Sequence, residues 1–168
     1  MRFFLLLFSV FSLIACEKEI VDPSDELYIS IEDLAFLGGD YQGTLTYLQY
    51  ESDELNTLDV KAEYYTKKNA LKYTHFVDEG NGEVEKRRGS FSVKNGTING
   101  APLTKKELDG VNNTFLLIYE EQARDDGKKA TIRFTISGNQ TAFSIKKEVR
   151  FDGTSDFFLR NRFDFTKT

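Results

Sequence analysis

The chain has 168 residues, a formal net charge of −5, one histidine and one cysteine. Charges of both signs are interspersed and no dense basic stripe forms, which argues against a nucleic-acid partner. A lone histidine and a lone cysteine supply no zinc-ligand cluster and allow no intramolecular disulfide.

The first fifteen residues read as an export signal. Arg2 is their only charge, and an apolar run follows from Phe3 to Val10 and on through Phe11, Leu13 and Ile14. That run suits a secretory h-region of about 7–15 residues and falls short of the roughly 20 a spanning helix needs. Small Ala15 precedes Cys16. The stretch Leu13-Ile14-Ala15-Cys16 resembles the lipobox of bacterial lipoproteins. That resemblance implies cleavage before Cys16, acylation of its thiol and attachment to a membrane through the acyl chains, since two or three chains anchor stably where one does not. Lys18 and Glu19 resemble the surface-export signal of Bacteroidetes lipoproteins over two or three residues. The expected address is therefore the bacterial envelope, at the outer membrane rather than the inner one. The expected organisation is a signal at 1–15, a lipidated anchor and tether at 16–30, and one domain at 31–168. Removing 15 of the 168 residues leaves 153, enough for a single core. Loss of Arg2 takes the net charge to −6.

Composition favours strands in that domain, with fifteen Phe and eight Tyr but no Trp and two Pro. Ile31 to Leu37 predicts one short helix, with Ser30 as N-cap and Asp33 as a capping-box partner. Gly38-Gly39 ends it. Alternating segments then predict strands at 40–50, 57–65, 70–77 and 83–93, with turns at 67–69 and 80–82. Asn95-Gly96 signals a tight hairpin into a strand near 97–103. Residues 104–110 read as a polar connection or one helical turn. Further strands follow at 113–120, 129–137, 142–151 and 157–165, joined by turns at Asp126-Gly127, Gly138-Asn139 and 152–155.

Short loops make sequence neighbours pair. The predicted fold is all-β: an antiparallel up-and-down meander of about 8–9 strands closing into a barrel, since closure removes exposed edges. Here the chain resembles the calycins, the lipocalin-type barrels. An entry helix, Gly39-Asp40-Tyr41 at the first strand, and Arg160 and Arg162 on the last strand carry the likeness. Tyr41 stands where that superfamily has Trp. The resemblance implies a cation–π contact between Tyr41 and Arg160 or Arg162 that seals the closed end.

Few residues carry chemistry. His75 shares a face with Leu71, Tyr73 and Val77, so it reads either as a polar contact to a ligand or as a core histidine bonded to a neighbour. Lys147 interrupts the apolar face of Phe143, Ile145, Val149 and Phe151. A buried lysine must be paired or neutral, so it reads as a partner for a ligand carboxylate, or as a lysine at a bulge or rim. Lys86 and Arg88 share one face of their strand and Arg87 takes the other. This cluster reads as an anion-receiving rim or as a charged edge guard. Asp125-Asp126-Gly127 and Asp152-Gly153 lack the rest of a calcium loop. No metal or cofactor is expected, and no nucleophile elbow or phosphate loop marks an enzyme.

The leading expectation is a tethered barrel holding a small apolar or amphipathic ligand, lined by Tyr41, Tyr73, Phe134, Phe143 and Ile145 with His75 or Lys147 as polar contact. The alternative is an envelope scaffold or protein-interaction module with a solid barrel. An interior cavity of about 300 Å³ or more facing His75 or Lys147 favours the first, and a filled interior the second.

Overall fold

A computed structural model describes residues 25–168. The export signal, Cys16 and most of the tether lie outside the described residues. A 3-10 turn at Asp25–Leu27 leads to helix α1, Glu32–Ala35. The Asp33 carboxylate reaches back to accept the Ser30 backbone N–H at 3.0 Å, which is half of the expected capping box. Ile31 rather than Ser30 occupies the N-cap position, with no side-chain cap.

Ten strands follow: β1 Gly39–Gln49, β2 Glu54–Thr66, β3 Ala70–Asp78, β4 Val84–Lys94, β5 Thr97–Ile98, β6 Ala101–Asp109, β7 Thr114–Asp125, β8 Lys128–Asn139, β9 Ala142–Phe151 and β10 Phe158–Lys167. They pair in chain order, and β10 returns to β1 to close the barrel. The antiparallel meander is as expected, with one more strand than the nine segments read from sequence.

The difference arises between 95 and 110. Asn95-Gly96 and Asn99-Gly100 both adopt positive φ, at 50° and 73° and at 54° and 82°. Two tight turns thus follow within six residues, and the segment near 97–103 splits into β5 and the start of β6. The expected connection at 104–110 is strand as far as Asp109. Its composition, Thr-Lys-Lys-Glu-Leu-Asp, favours helix or loop. The backbone of β7 from Phe115 to Tyr119 nonetheless needs a ladder partner, and β6 supplies it.

The barrel has two unlike ends. The segment before β1 plugs one of them. Ile29, Leu34 and Leu37 are fully buried there, Phe36 meets Phe115 edge-on at 5.0 Å, and the Tyr41 hydroxyl donates to the Leu37 carbonyl at 3.1 Å. Lys106 ties this plug to β6 through the Tyr28 carbonyl at 2.7 Å and Asp33 at 2.9 Å. The turns β1–β2, β3–β4, β7–β8 and β9–β10 form the opposite, open end. The ladder closes and the main core fills within residues 25–168, so this stretch is a folding unit.

The wall is incomplete on one side. β4 meets β5 only at Val93 and Lys94, and β6 meets β7 no further along than Tyr119. Among the described residues, 84–91 of β4 and 120–125 of β7 therefore have a ladder partner on one side only. They flank a gap in the ladder toward the open end.

Candidate functional site: the open end of the barrel

Register sets which side chains enter the barrel. Tyr41, Ala62, His75 and Arg87 are successive partners across β1 to β4, so they share the inner face. The inner face changes character along the barrel axis. Near α1 it is solid: Tyr41, Tyr64, Phe143 and Phe165 pack with ring centroids 5.0–6.2 Å apart, and Ile145 joins the same cluster. Tyr47, Leu58, Tyr73, Phe134 and Phe163 touch that aromatic floor yet remain partly exposed.

His75 belongs to the floor. It is 3% exposed, and its Nε2 lies 2.8 Å from the Tyr64 hydroxyl. Its ring stacks on Tyr73 and meets Phe163, each at 4.5 Å. Burial, with the Arg87 charge nearby, pushes its pKa down to about 4. Burial also holds the Tyr64 hydroxyl protonated, well above its ordinary range. Both groups are therefore neutral, and the tautomer of His75 sets which of the two donates in their shared hydrogen bond. Of the two readings of His75, the geometry matches the core histidine.

This arrangement makes stability depend on pH. His75 titrates near 6.5 when unfolded and near 4 when folded. Between those values the unfolded chain binds a proton that the native chain refuses, so stability falls as pH falls from about 6.5 to about 4. The expected loss is roughly 2 kcal/mol between pH 7 and pH 5. Urea titrations at both pH values measure it. His75→Gln should flatten that part of the profile, and an unchanged slope would exclude His75 as its source.

Lys147 faces inward, between Phe134 and Asn161 in register. It is already paired: its Nζ lies 2.7 Å from Asp125 Oδ1. The other carboxylate oxygen accepts the Tyr50 hydroxyl and lies 3.4 Å from Arg160 Nε. Burial alone would raise the Asp125 carboxyl. Lys147, Tyr50 and Arg160 outweigh it and hold that carboxyl below its ordinary value. The same carboxylate, together with burial, pushes the Tyr50 hydroxyl up. Arg160 enters this group through a bulge. Leu159 pairs with Glu148 and Asn161 with Lys147, so Arg160 is the extra residue and its side chain is re-aimed. Its guanidinium lies 4.1 Å from the Tyr50 ring centroid.

The barrel-closing contact is thereby corrected. Arg160 sits at the open end, and Arg162 pairs with Asp164 at 2.7 Å. The cation over Tyr41 is Lys167, 5.7 Å from the ring centroid, and its Nζ also donates to the Gly38 carbonyl at 2.8 Å. Tyr41 and Lys167 are register partners, whereas Arg162 pairs opposite Thr46.

Of the expected lining, Tyr73 and Phe134 stay partly exposed, while Tyr41, Phe143 and Ile145 are buried at 2%, 4% and 6% exposure. Sequence reading missed Tyr47, Leu58 and Phe163. Alternation continued outward from Tyr41, Val60 and Phe165 would have found them. Arg87 takes the inner face and Lys86 the outer, where its ammonium lies 5.0 Å from the Phe76 ring centroid. Arg87 pairs with Glu85, and with Glu79 at 3.5 Å. Asp126 and Gly127 adopt φ of 49° and 71°, a hairpin turn rather than a calcium loop. No metal-ligating group of three or more such side chains occurs among the described residues.

Neither His75 nor Lys147 lines the grooves found among the described residues. A groove of about 660 Å³ lies on the outer wall, between Gln42, Thr44, Asp59, Lys61, Phe76 and Val84. The expected cavity facing His75 or Lys147 is therefore not among these grooves.

No protein-family model matches the chain, and no curated protein matches its sequence. Its architecture has a solved counterpart. The crystal structure of Rv2717c from M. tuberculosis superposes with a TM-score of 0.60, covering 88% of this chain and 99% of that one at 12% identity. The likeness is one of fold. The closed antiparallel barrel with its plugged end fits a calycin-like architecture.

Proposed function

We propose that this chain is an envelope lipoprotein, tethered through Cys16, whose barrel holds a small amphipathic molecule at its open end. The observation that carries the binding half is a set of five inward apolar side chains, Tyr47, Leu58, Tyr73, Phe134 and Phe163, packed on the core yet partly exposed. Apolar concavities with a few polar groups at the edge are the usual form of small-molecule sites. Arg87, Lys147 and Asp125 form the polar edge, so the ligand's body lies on the aromatics and its head stays near water. His75 acts as part of the floor.

Dansyl-undecanoic acid titrated into residues 17–168 tests this reading. Enhanced, saturable fluorescence with micromolar affinity is the expected result. Tyr73→Ala and Phe134→Ala should each weaken it about tenfold, about 1.4 kcal/mol, with the circular dichroism of the barrel unchanged. Absence of saturable binding would leave the second reading, an envelope scaffold, which the outer-wall groove of about 660 Å³ favours.

The tether is tested separately. An alkyne palmitate analogue fed to expressing bacteria should label the full chain, and Cys16→Ser should lose the label and the membrane association together. Labelling that survives Cys16→Ser would refute the address.

A further inference from the structure

The mouth of the barrel is asymmetric in a way that bears on how a ligand exchanges. Tyr50 follows β1, and Asp125 ends β7. Three strands, β10, β9 and β8, separate β1 from β7 around the wall. The Tyr50 to Asp125 hydrogen bond therefore crosses the opening from one side to the other. Arg160 from β10 and Lys147 from β9 fill the space below it through the same carboxylate. Asp125 is only 8% exposed as a result. Beneath this strut, Ala130, Ile132 and Val149 pack with Phe151 and Phe158 as a second small core. The β7–β10 half of the mouth is filled and tied.

The other half is neither. From 84 to 91, β4 lacks a neighbour on its far edge among the described residues, and so does β7 from 120 to 125. The exposed stretch from Val84 to Arg88 flanks this opening. Tyr73, one of the partly exposed inward aromatics, is the register partner of Gly89 on β4. Gly89 leaves room there for the Tyr73 ring, whose outer atoms occupy the place of a Cβ. The Tyr73 ring thus lies directly inside β4.

We propose that ligand enters and leaves through the gap between β4 and β7, past Glu85 and Glu121, which register places on the inner face beside Val77 and Ile132, while the contacts of Tyr50, Lys147 and Arg160 to Asp125 together keep the opposite half of the mouth shut. The proposal rests on the binding reading above and specifies its route. A route differs from a contact in its kinetic signature: narrowing it slows entry and exit by the same factor and leaves affinity unchanged.

Stopped-flow mixing of residues 17–168 with dansyl-undecanoic acid separates the two routes. Glu85→Trp and Glu121→Trp each place a large side chain at the gap. Both are expected to slow association and dissociation about tenfold at constant Kd. Tyr50→Phe removes the crossing hydrogen bond while the Lys147 and Arg160 pairs to Asp125 remain, so both rates should stay within twofold. Unchanged rates in both tryptophan variants would overturn the proposal, as would faster exchange in Tyr50→Phe. A tryptophan variant that changes Kd through dissociation alone would make that residue a contact instead and also count against the route. Failure of the unmodified domain to bind the probe would overturn the binding reading itself, and the route with it.

Discussion

Gly43→Ala is expected to be the most damaging single substitution in the barrel, costing roughly 3 kcal/mol or more. Gly43 lies mid-strand in β1, opposite Val60 on one side and Phe165 on the other. A Cβ built there would fall inside the carbonyl of Asp164 and against the Cα of Phe165. The obstacle is backbone, so no rotamer change relieves it. Relief would require β1 and β10 to part, and that seam closes the barrel. Urea denaturation monitored by tyrosine fluorescence measures the loss. Gly89→Ala is the matched comparison, because its Cβ would meet the outer atoms of the Tyr73 ring. A ring can swing away, so the cost there should be smaller. If Gly43→Ala were no worse than Gly89→Ala, the close approach of β1 to β10 would not be what limits this position.

Asp125→Ala is expected to cost about 2–4 kcal/mol and to loosen the open end. The substitution removes the one acceptor shared by Tyr50, Lys147 and Arg160, leaving two cations side by side, 21% and 27% exposed. Most of the loss comes from those orphaned charges rather than from the pair's own attraction. A second change distinguishes these causes. Asp125→Asn with Lys147→Met removes the carboxylate and one cation together, and should recover at least half of the lost stability. Hydrogen exchange should quicken near Tyr50 and Arg160 in Asp125→Ala, while Tyr41 and the floor near α1 stay protected. Uniform loosening would mean that the two ends of the barrel fold as one. The carboxyl is held below its ordinary value by Lys147, Tyr50 and Arg160 despite burial. This contribution is therefore present at neutral pH and disappears as pH falls through the acid range below that of His75.

Much of this architecture was readable locally. Alternation in 130–136 placed Ala130, Ile132, Phe134 and Ile136 on one face, and the register puts them inside. Asn95-Gly96 and Asp126-Gly127 announced turns through the backbone conformation they permit. His75 and Lys147 were placed inward by parity alone. What each side chain does once inside was not readable. His75 meets Tyr64 across a strand boundary, and Lys147 meets a carboxylate 22 residues away. Strand β6 escaped because its residues prefer other conformations and are held extended by a neighbour. Arg160 escaped because a bulge leaves no mark in hydrophobic alternation.

The sequence by itself therefore determined the strand periodicity, the tight turns, the neighbour-to-neighbour meander and which residues face inward, since each depends on a chain's nearest few residues. Its only cysteine, following an apolar run, also determined where a lipid anchor is to be sought. Only the tertiary structure decided that His75 is floor, that Lys167 rather than Arg160 lies over Tyr41, and that four groups brought together from β1, β7, β9 and β10 bridge half of the mouth. Those outcomes depend on register, bulges and the closure of β10 on β1, which bring together residues more than a hundred positions apart, and no local pattern encodes such distances.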